Sequence, residues 1–158
     1  MARPHIFLVD PLQSTHTLTS VAASEDVTLV ATGHAHSAVR VHSLTEVARA
    51  AAPGPDAAAE ASVVLDTGSA CKDLWGHEGP VYGSSFAYDG RLLYTAGCDG
   101  TVRIWATDMG ANVALWQGHQ QPVWAVQANP HGHWVASGGA DWTCRLWCDR
   151  YACTLRHL

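Results

Sequence analysis

Histidine, a hydroxyl residue and aspartate recur twice in this chain at one spacing, and these are the residue types from which a nucleophilic triad is built. The sets are His77, Thr95 and Asp99, then His119, Ser137 and Asp141, each followed six positions after the aspartate by a tryptophan, Trp105 and Trp147. A hydrolytic triad needs one activated nucleophile, an imidazole to take its proton and donors for the oxyanion. The chain has no Gly-x-Ser-x-Gly elbow, no glycine-rich phosphate loop and no paired-carboxylate motif. A unique site also has no reason to occur twice at an identical offset. The other chemistry open to these residues is mutual satisfaction. An indole N–H only donates and an ionised carboxylate only accepts, whereas a hydroxyl and a neutral imidazole do both. A chain running from Trp through hydroxyl and His to Asp leaves no member unpaired, and losing one member would cost ~1–3 kcal/mol. The expected role is structural, with no catalytic residue and no cofactor.

Metal ligation is the next possibility. His34-Ala35-His36 and His131-Gly132-His133 place imidazoles two apart, which on a strand puts both on one face. Cys71, Cys98, Cys144, Cys148 and Cys153 have no Cys-x-x-Cys spacing. Zinc needs four convergent donors, and no pattern in the sequence brings these groups together. Solvated turn histidines and small buried thiols are expected instead. An odd number of unpaired cysteines suits a reducing compartment.

The elements that position these residues come from a repeat. Residues 75–116 lie over 117–158 without a gap: Gly76-His77 on Gly118-His119, Pro80-Val81 on Pro122-Val123, Gly90 on Gly132, Gly97 on Gly139. Within each unit, short apolar segments such as Val81 to Ala87, Leu92 to Ala96, Thr101 to Trp105 and Val113 to Trp116 read as strands. Turn chemistry separates them at Tyr88-Asp89-Gly90 and Gly97-Cys98-Asp99-Gly100. Four strands in about 42 residues make one blade of a β-propeller. A degenerate copy lies upstream, with Val39-Arg40-Val41-His42 standing 63 positions before Val102-Arg103-Ile104-Trp105. The surplus falls in 46–66, an Ala/Pro-rich stretch whose Pro-Gly-Pro core interrupts a helix. The expected organisation is a lead-in segment over 1–17, a degenerate blade over 18–45, an inter-blade insertion over 46–66, and repeats over 67–116 and 117–158.

Composition narrows the function class. Charged residues make up 15% and the net charge is −5, which disfavours direct binding to nucleic acid, while 47% hydrophobic residues allow a packed core. No apolar run is long enough to span a membrane, and Ile6-Phe7-Leu8-Val9 is too short for a signal peptide. An intracellular, soluble protein without a small-molecule substrate is expected.

Gly-His, Asp and a closing Trp at this spacing resemble the WD-repeat (WD40) family, closely over 75–158 and weakly over 18–43. The resemblance implies an all-β partial propeller of about three four-stranded blades, the first degenerate and the ring not closed, acting as a protein–protein scaffold. Gly76-His-Glu-Gly-Pro-Val-Tyr-Gly-Ser-Ser-Phe86, Gly118-His-Gln-Gln-Pro-Val-Trp124 and Ser137-Gly-Gly-Ala-Asp-Trp-Thr-Cys-Arg-Leu-Trp147 are similar, more narrowly, to the WD-repeat TBP-associated factors of TFIID. That likeness implies a nuclear scaffold of RNA polymerase II initiation, or of a SAGA-type acetyltransferase complex, with histone-fold TBP-associated subunits as partners. The rival is a WD-repeat adaptor elsewhere, as a ubiquitin-ligase substrate receptor or a signalling scaffold. Carried over by position, the family's partner-binding rim falls on Pro80, Tyr82 and Cys98, then Pro122, Trp124 and Ala140, although Tyr82 and Trp124 could instead cover neighbouring blades. In the degenerate blade Ser14, His36 and His42 replace the family's His, Asp and Trp, leaving Thr32 alone and packing as the expected glue. Open strand edges suggest a truncated product, a partial gene model or one part of a split propeller, poorly soluble or oligomeric by itself.

Overall fold

Strand-length runs of β-branched, aromatic and small residues, each ended by a turn, build three antiparallel sheets in the computed structural model. It describes residues 17–45, 71–130 and 133–148, and the backbone of 151–157. The expectations for the lead-in before residue 17, for the 46–66 insertion, and for Ser14, His131 and Gly132 lie outside the described residues.

The first sheet runs β1 (Leu18–Ala23), β2 (Leu29–His34), β3 (Val39–Ser43), β4 (Cys71–Leu74). The second runs β5 (Val81–Phe86), β6 (Leu92–Gly97), β7 (Thr101–Ala106), β8 (Ala111–Gln117). The third runs β9 (Val123–Ala128), β10 (Trp134–Gly139), β11 (Cys144–Cys148), β12 (Tyr151–His157). Each is a meander in which neighbours in sequence are neighbours in the sheet. β4 lies beyond the 46–66 insertion, so the first sheet takes its outer strand from the start of the following sequence unit. Sheet and sequence repeat are offset by one strand.

The sheets pack in chain order, β5 against β1 and β2, and β9 against β5 and β6, and among the described residues they do not close a ring. The middle sheet shows why its strands are apolar on both sides. Leu93 pairs with Trp105 across β6 and β7 and faces the first sheet, where Ala31, Val39, Val41 and Leu74 meet it. Tyr94 pairs with Ile104 and faces the third sheet, against Val123, Val126, Val135 and Trp147. Period-two alternation therefore gives one core to each interface. At the second interface Trp116 stacks on Trp147, with ring centroids 5.2 Å apart and 4° between planes. Tyr94 also stacks with Trp116, at 5.8 Å between ring centroids. Offset aromatic stacks of this kind add ~0.5–1.5 kcal/mol beyond the area they bury.

Each inner strand carries an irregularity at the same end. The register slips between Leu18 and Ser20, between Val81 and Gly83, and opposite Trp124 where Gly138 and Gly139 pair with Ala125 and Val123. The skipped residues are Thr19, Tyr82 and Trp124. A bulge bends the strand and re-aims the unpaired side chain; here the Thr19 hydroxyl donates to the Val81 carbonyl of the next sheet, and the Tyr82 and Trp124 rings meet. Among the described residues no helix is long and apolar enough to cross a membrane.

Candidate functional site

The four residue types of the duplicated motif meet in the second and the third sheet. In the second, Trp105 Nε1 donates to Thr95 Oγ1 at 2.8 Å, and Thr95 Oγ1 lies 2.8 Å from His77 Nε2. His77 Nδ1 stands 3.0 Å from Asp99 Oδ2. The carboxylate can only accept, so Nδ1 carries a proton; with the imidazole neutral, Nε2 accepts from the threonine and every hydrogen bond runs in one direction. The third sheet repeats the arrangement: Trp147 Nε1 to Ser137 Oγ at 2.7 Å, Ser137 Oγ to His119 Nε2 at 2.8 Å, and His119 Nδ1 to Asp141 at 2.9 Å.

The elements explain the convergence. His77 and His119 sit in the loops that enter the inner strands β5 and β9. Thr95 and Ser137 lie near the ends of β6 and β10, Asp99 and Asp141 in the turns that follow, and Trp105 and Trp147 on β7 and β11. Each network thus joins the entry loop to the turn two strands away. It also holds the indole plane against the preceding sheet, which is where Trp147 meets Trp116. The positions that flank the imidazole admit no side chain. A Cβ at Gly139 would come 2.7 Å from His119 Nδ1 and 2.8 Å from Asp141 Oδ1, and one at Gly97 would come 2.9 Å from Asp99 Oδ1.

Both aspartates are held well below the usual carboxylate range. Burial works against their charge, but donors outweigh it. Asp99 accepts from His77, from the Thr101 hydroxyl and from the Glu78 N–H, and Asp141 from His119, Thr143 and the Gln120 N–H. The threonines were not singled out in the sequence, although Asp-x-Thr recurs 42 positions apart as Asp99-Gly100-Thr101 and Asp141-Trp142-Thr143. The threonine N–H and hydroxyl both donate to Oδ1, the latter at 2.7 and 2.8 Å, closing the turn around the carboxylate.

The first sheet departs from the expectation that packing alone holds it. His34, at the end of β2, is buried, and its Nε2 lies 3.1 Å from Thr32 Oγ1. Thr32 corresponds to Thr95 and His34 to Gly97, each 63 positions earlier. The imidazole reaches the hydroxyl from the strand itself rather than from an entry loop. His36, at the aspartate position, stands with its ring 5.3 Å from that of His34 and 5.7 Å from that of Trp75. The expected solvated turn histidine is therefore, at position 34, a buried strand residue.

The cysteines differ from expectation too. Cys148 is buried, but Cys71 and Cys98 are half-buried and Cys144 is exposed, all of them free thiols. β11 begins at Cys144, and the third sheet has no further sheet packed on that side among the described residues. No group of three or more His, Cys, Asp or Glu side chains among the described residues is placed to hold a metal ion.

The rim residues gather at the end where the networks lie. Cys98 N–H donates to the Pro80 carbonyl at 2.9 Å and Ala140 N–H to the Pro122 carbonyl at 2.8 Å, pinning each aspartate turn to the start of its inner strand. Tyr82 and Trp124 lie with ring centroids 4.7 Å apart, so each covers part of the other across the sheet boundary, yet Trp124 stays 50% exposed. Burial, and after it the Cys98 thiol, raise the Tyr82 phenol above its ordinary value. Trp142, which lies two residues beyond Ala140 and was not among the sequence candidates, is the most exposed large apolar side chain described, at 97%.

Comparison with known proteins agrees with this geometry. The family model described as WD domain, G-beta repeat matches residues 68–106 and 110–148. The chain is 30% identical over 120 residues to "Transcription initiation factor TFIID subunit 5" of Arabidopsis thaliana, covering 74% of this chain and 18% of that protein. It is 35% identical over 105 residues to the protein of the same name in Drosophila melanogaster, covering 60% of this chain and 15% of the relative. The chain thus spans less than a fifth of the length of these curated relatives. Among solved structures, "Crystal structure of RRP9 WD40 repeats" superposes with a TM-score of 0.70 at 14% identity, covering 91% of this chain and 39% of that one. At that identity the likeness speaks for the fold alone.

Proposed function

Because this chain belongs to the WD40 family of non-catalytic protein-interaction scaffolds, we propose that it serves in RNA polymerase II initiation as a scaffold of the TFIID subunit 5 type. One observation carries the reading. The similarity to that subunit covers 120 residues, more than the stretch from 68 to 148 that the generic repeats account for. A role in the nucleus and contacts with histone-fold TBP-associated subunits follow from the same reading. The surface offered is the rim of Pro80, Tyr82, Pro122 and Trp124, where the inner strands bulge at the two aromatic residues and backbone hydrogen bonds pin the aspartate turns to Pro80 and Pro122. Exposed aromatics on a rigid base make good interface anchors, since little freedom is left to lose on binding.

The test is affinity purification of the tagged chain from nuclear extract, with mass spectrometry of what is retained. Histone-fold TBP-associated subunits are expected, and Trp124→Ala should lose them while unfolding at an unchanged temperature. Recovery of cullin adaptors or signalling receptors in their place would assign the scaffold to another complex. A collapse in the stability of Trp124→Ala would make that residue part of the packing instead.

A further inference from the structure

Arginine recurs beside the networks without joining them. Arg40, Arg103 and Arg145 occupy one position of β3, β7 and β11, just ahead of His42, Trp105 and Trp147. In the first sheet the residue across the ladder is Asp73 on β4, and Arg40 Nε donates to its carboxylate at 2.9 Å. In the second sheet that place belongs to Leu115 on β8, and in the third to His157 on β12. The acid that the first arginine meets has no counterpart opposite the other two.

Both of these guanidiniums are built into the fold. Arg103 shares a strand face with Trp105, which packs on the first sheet, and Arg145 shares one with Trp147, which stacks on Trp116 of the second. Each therefore lies at a boundary between two described sheets. Their Nη1 atoms rest against the entry-loop glycines, where a Cβ would come within 2.8 Å at Gly76 and 2.6 Å at Gly118. Arg103 is half-buried, and Arg145 is only 7% exposed. Among the described residues neither guanidinium donates a hydrogen bond, and the Nε of each is buried without a partner. Asp141 lies 4.0 Å from Arg145 Nη2, too far for a hydrogen bond, and it already accepts from His119, Thr143 and Gln120. A buried cation without acceptors is costly, and the planar fork of a guanidinium fits a carboxylate. The first sheet holds that carboxylate at this very position.

We propose that Arg103, and Arg145 in the following repeat, each take up a carboxylate from an acidic segment of a partner protein, in the place that Asp73 fills in the first sheet. This rests on the scaffold reading and adds the chemistry of what is recognised. The experiment titrates the full chain with capped peptides of alternating Glu-Gly, Gln-Gly and Lys-Gly, by calorimetry and by the arginine Nε–H resonances. The glutamate peptide should bind and shift the resonances of Arg103 and Arg145, more weakly as salt rises, and the other two should not. Arg103→Gln combined with Arg145→Gln should weaken binding about tenfold. Without peptide, that double variant should unfold at the same or a higher temperature, since it sheds buried charge that has no partner. Leu115→Asp, at a side chain 40% exposed, gives Arg103 the carboxylate that Arg40 has. It should raise the unfolding temperature of the parent but not of Arg103→Gln, and it should make the Arg103 resonance insensitive to the glutamate peptide. An equal response to the glutamine peptide, a lower unfolding temperature in the arginine double variant, or Leu115→Asp acting alike in both backgrounds would each overturn the assignment. If Trp124→Ala releases the protein partners while the arginine double variant keeps both them and its affinity for the glutamate peptide, this inference falls and the scaffold reading stands.

Discussion

Replacing Thr95 by valine keeps the shape of a fully buried side chain and exchanges for a methyl group the hydroxyl whose oxygen stands 2.8 Å from both Trp105 Nε1 and His77 Nε2. Two hydrogen bonds are lost, each worth ~0.5–1.5 kcal/mol net, and an indole N–H and an imidazole nitrogen are left buried without a partner, at ~1–3 kcal/mol each if nothing relaxes. His77 keeps its bond to Asp99 and can shift slightly, so the expected loss is about 2–4 kcal/mol. For a chain of this size that lowers the unfolding temperature by about 6–15 °C. The assay is denaturant unfolding followed by tryptophan fluorescence, run as a double-mutant cycle with Trp105→Phe. Once the indole donor is gone, the valine has less left to orphan, so the double variant should cost about 1–2 kcal/mol less than the sum of the two. Thr101→Val, which removes one bond to Asp99 at a less buried position, should cost about 1 kcal/mol. A loss under about 0.5 kcal/mol for Thr95→Val, or an additive cycle, would show that the hydroxyl is not the joint through which the network runs.

Two further outcomes follow from the same geometry. Gly139→Ala places a methyl 2.7 Å from His119 Nδ1 and should destabilise by about 1–3 kcal/mol in urea titration, whereas Gly138→Ala, whose Cβ meets nothing within 4 Å, should be tolerated. Asp99 and Asp141 titrate below the ordinary value of 3.8 in the folded chain, so their contribution is complete above the unfolded-state pKa and is lost as pH falls through the folded ones. The unfolding temperature should therefore be flat from about pH 7 to 5 on their account and fall below about pH 4, and the slope should shrink in the Asp99→Asn, Asp141→Asn double variant.

How much could be read beforehand depended on what repeats. The strands, their turns and both networks were legible because each residue is seen twice at one offset, and donors and acceptors that recur in register belong together in space. Trp142 was missed because the repeat has glycine there, and a substitution inside a turn carries no periodicity of its own. Cys144 was expected inside because cysteine behaves as a small hydrophobe; it opens a strand on the face that no further sheet covers among the described residues. The offset between sheet and sequence unit was also invisible, since strand pairing across the insertion from β3 to β4 is a non-local choice that no window of sequence contains.

His34 is the most informative miss, because aligning the first sheet by residue type could only register a histidine where glycine belongs. In space, the volume that a Cβ at Gly97 would enter is occupied by the His77 ring, so a large side chain at the glycine position and a histidine in the entry loop exclude each other. The first sheet has the side chain, His34, and its Nε2 meets Thr32 Oγ1 at 3.1 Å much as His77 meets Thr95. The two arrangements are alternative ways of delivering one imidazole to one hydroxyl. Transplanting the alternative tests this. Gly97→His alone should be severely destabilising, by at least ~3 kcal/mol, because two rings compete for one buried space. Adding His77→Ser should recover ~1–2 kcal/mol or more by vacating that space, despite being a damaging change when made alone. Urea unfolding of the three variants reads the sign directly. A double variant no more stable than Gly97→His would mean that the strand histidine cannot stand in for the loop histidine, and that the first sheet owes its order to something other than this relocated bond.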